Sequence, residues 1–298
     1  MRHGITRLGP LVLAVGALLL AAPATPALTL VDMLERQVTL PAPPQRIVSL
    51  VPSVTELIFA LGGEGRLAGV TDYCDFPPVA KEKPSVGGML APSLETIVAL
   101  RSDLVIATDS GNRQETFAQL QRLRIPVYLV HASSVAQMLE VAARLGTLSG
   151  REAAVARLIA HLQQRIQNVE KAVAPFPRPR VLYVLWPEPL IVPGRGAIVT
   201  ELIRLAGGES ITADERSDYP RFSVEAAVAR APEVIILARH GTGSEPIARD
   251  KWDRLGSLPA VRAGRVYAVD GNVLHRYGPR VVDGLELLAR VIHPEAFR

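Results

Sequence analysis

Val54-Thr-Glu-Leu-Ile-Phe-Ala-Leu-Gly-Gly63 and Val199-Thr-Glu-Leu-Ile-Arg-Leu-Ala-Gly-Gly208 are two versions of one segment. Each follows a run dense in branched and aliphatic residues, Arg46-Ile-Val-Ser-Leu-Val51 in the first case and Arg180-Val-Leu-Tyr-Val-Leu185 in the second. Such a run predicts a strand that leads into a helix. Each copy closes on Gly-Gly, a pair suited to the left-handed turn that ends a helix. A second element repeats in the same order: Ser93-Leu-Glu-Thr-Ile-Val-Ala-Leu-Arg-Ser-Asp-Leu-Val-Ile-Ala107 aligns with Ser223-Val-Glu-Ala-Ala-Val-Ala-Arg-Ala-Pro-Glu-Val-Ile-Ile-Leu237. Both read as a serine cap, a short helix, an acidic turn and a buried strand. Two segments repeated in register indicate an internal duplication, and hence an α/β chain of two similar lobes.

The spacing predicts further strands at 66–70, 104–107 and 127–130 in the first half and at 234–237 and 266–269 in the second, with helices such as 114–123 and 135–145 between them. Alternating strands and helices imply mostly parallel, Rossmann-like sheets with helices on their faces. Ser149-Gly-Arg-Glu152 has the pattern of a capping box. After it Val155, Leu158, Ile159, Leu162, Ile166, Val169 and Val173 fall at helical spacing until Pro175 and Pro177. A helix over 151–174 would run about 36 Å at 1.5 Å per residue, pass along both lobes, and restrict their opening. The expected organisation is an N-terminal lobe at 28–148, a linking backbone helix at 149–175 and a C-terminal lobe at 176–298.

Residues 1–27 read as a cleaved secretory signal: Arg2 and Arg7, an uncharged apolar run over 8–22, then small residues up to Ala27. The run is short for a membrane span, which needs about 20 apolar residues. The cleavage region holds no cysteine to carry a lipid, so a free protein kept in the periplasm is expected. The 298 residues carry 33 Lys+Arg against 29 Asp+Glu, with no basic block or stripe, which argues against a nucleic-acid partner. Cys74 is the only cysteine, so an intrachain disulfide and any multi-cysteine metal site are excluded.

Motifs of catalysis are absent from the sequence: there is no Gly-x-Ser-x-Gly, Walker loop or His-Glu-x-x-His. Pro193-Gly-Arg-Gly196 lies between a strand and a helix as a phosphate loop would, but Val199 stands where a dinucleotide fingerprint has its third glycine. The plain reading is a strand-to-helix turn. His131, His240 and His275 lie near strand ends and His161 on the linking helix; no two histidines have metal-ligand spacing. In parallel α/β lobes ligands bind beyond the carboxyl ends of strands. Tyr73, Trp186, Tyr219 and Arg276 fall in such places, the first on one lobe and the others on the second. Together they suit an amphipathic ligand with a flat or apolar face.

These segments resemble the periplasmic substrate-binding proteins that feed ABC importers of cobalamin, haem and iron–siderophores. The resemblance covers 45–298 and is carried by Arg46-Ile-Val-Ser-Leu-Val-Pro-Ser-Val-Thr-Glu-Leu57, Gly69-Val-Thr-Asp-Tyr-Cys-Asp-Phe-Pro-Pro78, Ser93-Leu-Glu-Thr-Ile-Val-Ala-Leu-Arg-Ser-Asp-Leu-Val-Ile106 and Arg276-Tyr-Gly-Pro-Arg-Val-Val-Asp-Gly284. It implies two α/β lobes joined by one helix, no enzymatic activity, no cofactor, and a monomer that hands its ligand to a permease dimer in the inner membrane. The cobalamin-binding branch has a Tyr-x-Asp-Tyr-Pro-Pro segment that corresponds to Tyr73-Cys-Asp-Phe-Pro-Pro78. By that likeness Tyr73, Trp186, Tyr219 and Arg276 are implied ligand contacts, and Glu95 and Glu225 the contacts to the two permease subunits. The chain departs from the branch at Gly87-Gly-Met-Leu90, where the branch carries a tryptophan, and near Asn272, where it carries an aspartate. Haem or a ferric siderophore is the alternative ligand, with Tyr73, Tyr219 or His275 as axial ligands for haem. An enzyme acting in the interlobe cleft is the alternative from another class, and no nucleophile–base pair supports it.

Overall fold

Ile47, Val48 and Ser49 are all buried, and so are the five residues Leu104–Thr108. Strands covered on both faces read as continuous apolar runs, the signature of a parallel sheet between helices. The computed structural model describes residues 28–239 and 249–298. The secretory segment expected at 1–27 and His240 lie outside the described residues.

The first lobe opens with a hairpin absent from the sequence reading, β1 (Leu28–Val31) against β2 (Gln37–Leu40). Its turn is held by the buried carboxylate of Asp32, which accepts from the Leu34 and Arg36 amides at 2.9 Å each and pairs with the Arg36 guanidinium. Strands β3 (Ile47–Ser49), β4 (Leu67–Val70), β5 (Leu104–Thr108) and β6 (Val127–Val130) form a parallel sheet in the order β4-β3-β5-β6. Helices α1 (Pro52–Ala60), α2 (Leu94–Ala99), α3 (Gln114–Arg122) and α4 (Val135–Leu148) connect and follow them. A long helix α5 (Glu152–Val173) then leads to the second lobe.

That lobe comprises β7 (Arg180–Val184), a two-stranded ribbon of β8 (Trp186–Pro187) and β9 (Leu190–Ile191), α6 (Ile198–Leu205), β10 (Glu209–Ser210), α7 (Val224–Ala229) and β11 (Val234–Arg239). It continues with α8 (Arg249–Asp253), α9 (Pro259–Arg262), β12 (Val266–Asp270), α10 (Asn272–His275) and α11 (Val281–Ile292). The sheet order is β10-β7-β11-β12, again parallel. Element for element this is the order of the first sheet, so the duplication read from sequence is a duplication of fold. Equivalent helix ends are also built alike. Gly62 and Gly207 take φ of +67° and +81°, which only glycine adopts without strain. Ser93 and Ser223 accept from the amides of Thr96 and Ala226 at 3.1 and 3.0 Å, each closing a helix N-terminus.

The expected capping box at Ser149 does not form. Gly150 turns the chain with φ +62°, which leaves Ser149 at the end of α4. There its hydroxyl donates to the Leu145 carbonyl at 2.7 Å. The cap position of α5 is Arg151, whose side chain does not cap the helix but donates to the Gly62 carbonyl at 2.8 Å. At 22 residues α5 spans about 33 Å at 1.5 Å per residue. Val155 packs into the core of the first lobe, and Leu162, Ile166, Val169 and Val173 into that of the second. Helix α4 is divided in the same way: Val141, Ala142, Leu145 and Leu148 belong to the first core, Val135 and Met138 to the second. Arg165 on α5 adds ion pairs to Asp283 and Glu286 on α11. Two helices, rather than one, therefore tie the lobes together.

Candidate functional site

The loops that leave the carboxyl ends of the strands meet across the lobes. Among the described residues three polar links join them. At the first, Arg276 at the end of α10 lays its guanidinium against both carboxylate oxygens of Asp75, in the loop after β4. At the second, Arg280 grips Glu56 on α1 with two parallel bonds, Nε to Oε2 at 3.0 Å and Nη2 to Oε1 at 2.6 Å. Its guanidinium also lies 3.8 Å from the centre of the Phe76 ring. At the third, Glu201 on α6 accepts from the Val135 amide at the start of α4 at 2.9 Å. Glu56 and Glu201 are the same position of the repeated segment. Each reaches over to the first residues of a helix in the opposite lobe, so the duplication supplies a reciprocal pair of ties.

The electrostatics of the first two links differ. Hydrogen bonds from Arg276 hold the Asp75 carboxyl below its ordinary value. Burial pushes the Glu56 carboxyl up, against the pull of Arg280, because its side chain is only 3% exposed and loses most of its hydration. Gly278 passes so close to α1 that a Cβ there would sit 3.2 Å from Glu56 Oε2 and from Ser53 Cα. The loop 276–280 is thus seated directly on the first lobe.

Tyr73 lies two residues before Asp75 and is 57% exposed. Trp186 begins the ribbon after β7 and is 48% exposed, with its indole nitrogen donating to the Glu188 carbonyl at 3.0 Å. Tyr219 is half-buried and its hydroxyl meets that of Tyr277; burial pushes both phenols up. The structure therefore joins Tyr73 to Arg276 through Asp75, and Tyr219 to the residue after Arg276. Trp186 stands on the second lobe, at the start of the β8–β9 ribbon. Asp75, Glu56, Phe76 and Arg280 were not singled out from sequence. The one signal that could have found Glu56 is that its repeat partner, Glu201, occupies an apolar helix segment where a carboxylate needs a partner.

Of the side chains with haem-ligating chemistry, His275 meets the Tyr183 hydroxyl through Nε2 at 2.8 Å and Tyr219 meets Tyr277. Tyr73 is the exposed one. The turn 193–196 is no phosphate cradle: the Gly194 and Arg195 amides donate to the carbonyls of Asp218 and Glu215 at 2.8 and 2.9 Å. Cys74 is buried behind Tyr73, where the Thr55 hydroxyl donates to its Sγ at 3.1 Å. Among the described residues no group of three or more His, Cys, Asp and Glu side chains could hold a metal ion, and no helix is long and apolar enough to cross a membrane. Glu95 and Glu225 are exposed in the first turns of α2 and α7.

The model of the periplasmic binding protein family matches residues 47–273. The chain belongs to that family. Among its relatives is the vitamin B12-binding protein of Vibrio cholerae serotype O1, 32% identical over 249 residues, which cover 83% of this chain and 88% of that protein. The solved periplasmic vitamin B12-binding protein of Vibrio cholerae superposes with a TM-score of 0.73 at 28% identity, covering 86% of this chain and 99% of that one. The periplasmic heme-binding protein of Roseiflexus sp. RS-1 in apo form superposes with a TM-score of 0.75 at 27% identity, covering 85% and 99%. These two solved relatives share the fold of this chain, one named for binding vitamin B12 and the other for binding heme.

Proposed function

We propose that this protein captures a corrinoid of the cobalamin type between its lobes, in the periplasm, and delivers it to an inner-membrane ABC importer. The observation that carries the reading is a pair of exposed aromatic faces, Tyr73 on one lobe, two residues from the Asp75–Arg276 link, and Trp186 on the other. A large flat macrocycle with an amide-rich rim calls for apolar platforms flanked by a few polar groups. The likeness to vitamin B12-binding relatives points the same way. Where the cobalamin-binding branch carries its first-lobe tryptophan, Leu90 is 59% exposed and offers a smaller apolar surface. Residues 1–27 direct export and are removed, and the mature chain acts as a monomer without a cofactor or catalytic activity. Glu95 and Glu225, at equivalent places on the two lobes, meet the two halves of the permease. Charge pairs of this kind steer encounter and set orientation more than they add affinity.

Haem is the second reading, favoured by the exposed Tyr73 and by the heme-binding structural neighbour. The absorption spectrum of the protein purified from its host, with calorimetric titration of cyanocobalamin and haemin, separates the two. Corrinoid bands and saturable binding of cyanocobalamin support the proposal. A Soret band with tight haemin binding and no response to cyanocobalamin refutes it.

A further inference from the structure

Arg276 is implied as a ligand contact, yet its charge is already matched. Its side chain is 18% exposed, and both oxygens of the Asp75 carboxylate face the guanidinium in a fork-on-fork arrangement. Asn272, a neutral residue of the same short helix, adds a third contact at 3.5 Å. The carboxylate comes from the opposite lobe, 201 residues away in sequence. Asp75 itself is 39% exposed, so the paired carboxylate stays open to solvent two residues from the exposed Tyr73. The neighbouring cation, Arg280, is matched in the same way by Glu56. Two arginines of the second lobe thus meet two carboxylates of the first, and the four charges cancel.

A cleft wall built like this treats ligands differently according to their charge. An anionic ligand finds neither Arg276 nor Arg280 unpaired. It must displace Asp75 from a bidentate contact, or settle beside a carboxylate of its own sign. A ligand with no net charge and many amides can bond to either partner of the pair without separating them. We propose that Asp75 is a specificity-determining residue: by keeping Arg276 paired across the cleft, it favours ligands with no net charge over anionic chelates. The role is one of positioning, since Asp75 acts through Arg276. The inference rests on the interlobe binding reading above and adds the property that selects among ligands of that class.

The test compares two probes, cyanocobalamin, which has no net charge, and haemin, which carries two carboxylates. Affinities are measured by calorimetry for the full mature chain and for Asp75→Asn, Asp75→Glu and Asp75→Asn/Arg276→Gln, each checked for its thermal melt. Asp75→Asn is expected to shift the affinity ratio towards haemin by about tenfold or more at low salt. High salt should erase most of that gain, because the freed charge is exposed to screening. Asp75→Glu should keep the wild-type ratio, and the double variant should lose the gain. An unchanged ratio in Asp75→Asn overturns the proposal. So does equal weakening of both probes, which would make Asp75 a lobe tie alone, or a gain that survives Arg276→Gln. If Asp75→Asn does not fold, the ratio is read from Arg276→Gln, which must then show no shift towards haemin. A wild-type protein that prefers haemin would refute the corrinoid reading, while the shift of the ratio in Asp75→Asn would still decide the role of Asp75.

Discussion

Replacing Arg280 with methionine should destabilise the protein sharply, and in a way that depends on pH. The substitution keeps an apolar side chain over the Phe76 ring but leaves the Glu56 carboxylate, 3% exposed, without its cation. Breaking a buried pair by removing one partner costs about 3–5 kcal/mol. The loss has a ceiling, because Glu56 can take up a proton. Protonating a carboxyl of ordinary pKa about 4.3 at neutral pH costs about 3.7 kcal/mol, at 1.36 kcal/mol per unit. The expected deficit is therefore about 3–4 kcal/mol. At about 2.1 cal/mol/K of unfolding entropy per residue, that is a fall in Tm of roughly 5–7 °C for a chain of this size. An acid whose folded-state pKa lies above its unfolded value contributes stability that is complete below the unfolded value and declines as pH rises through the folded one. Burial already raises Glu56, and losing Arg280 raises it further. The deficit should accordingly be largest at neutral pH, shrink steadily as pH falls, and be nearly gone below about pH 4, where Glu56 is neutral in both states. Scanning calorimetry of Arg280→Met at the two pH values measures this. Glu56→Gln/Arg280→Met should recover most of the loss, since no charge is then left buried. A neutral-pH melt within about 2 °C of wild type, worth at most about 1 kcal/mol here, would refute the reasoning. So would a deficit that does not change with pH.

Three further outcomes follow from the same geometry. Tyr73→Ala and Trp186→Ala should each weaken ligand binding by about 1–4 kcal/mol, as truncation of aromatic contacts does elsewhere; calorimetry with unchanged affinity in both would take them out of the site. Glu95→Ala/Glu225→Ala should leave ligand binding and the thermal melt nearly unchanged while uptake into cells falls sharply, and normal uptake would reduce the two residues to the helix-dipole role worth about 0.3–1 kcal/mol. Small-angle scattering should show little change in radius of gyration on ligand binding, because α4 and α5 both pack into both cores. A ligand-induced closure of several ångströms would contradict this.

Much of the frame was legible in the residues themselves. The Val-Thr-Glu-Leu-Ile repeat, the two serine caps and the two glycine pairs act over a few positions, and local rules of helix and strand formation read them directly. That the two sheets share one strand order follows from the duplication, while the order itself came from the folded chain. Tyr73, Trp186, Tyr219 and Arg276 could be placed near strand ends for the same reason. Ser149 shows where such local reading fails, because a capping box and the end of a preceding helix use the same short pattern. The hairpin of β1 and β2 and the division of α4 between two cores were equally out of reach, since each depends on what lies opposite in space. The ties between lobes are the clearest case. Among 33 basic and 29 acidic residues, sequence offers no means of matching Asp75 with Arg276 or Glu56 with Arg280, pairs 201 and 224 positions apart. Only the folded chain brings those charges together, because an ion pair is set by distance and burial, and both are properties of the packed lobes rather than of any segment.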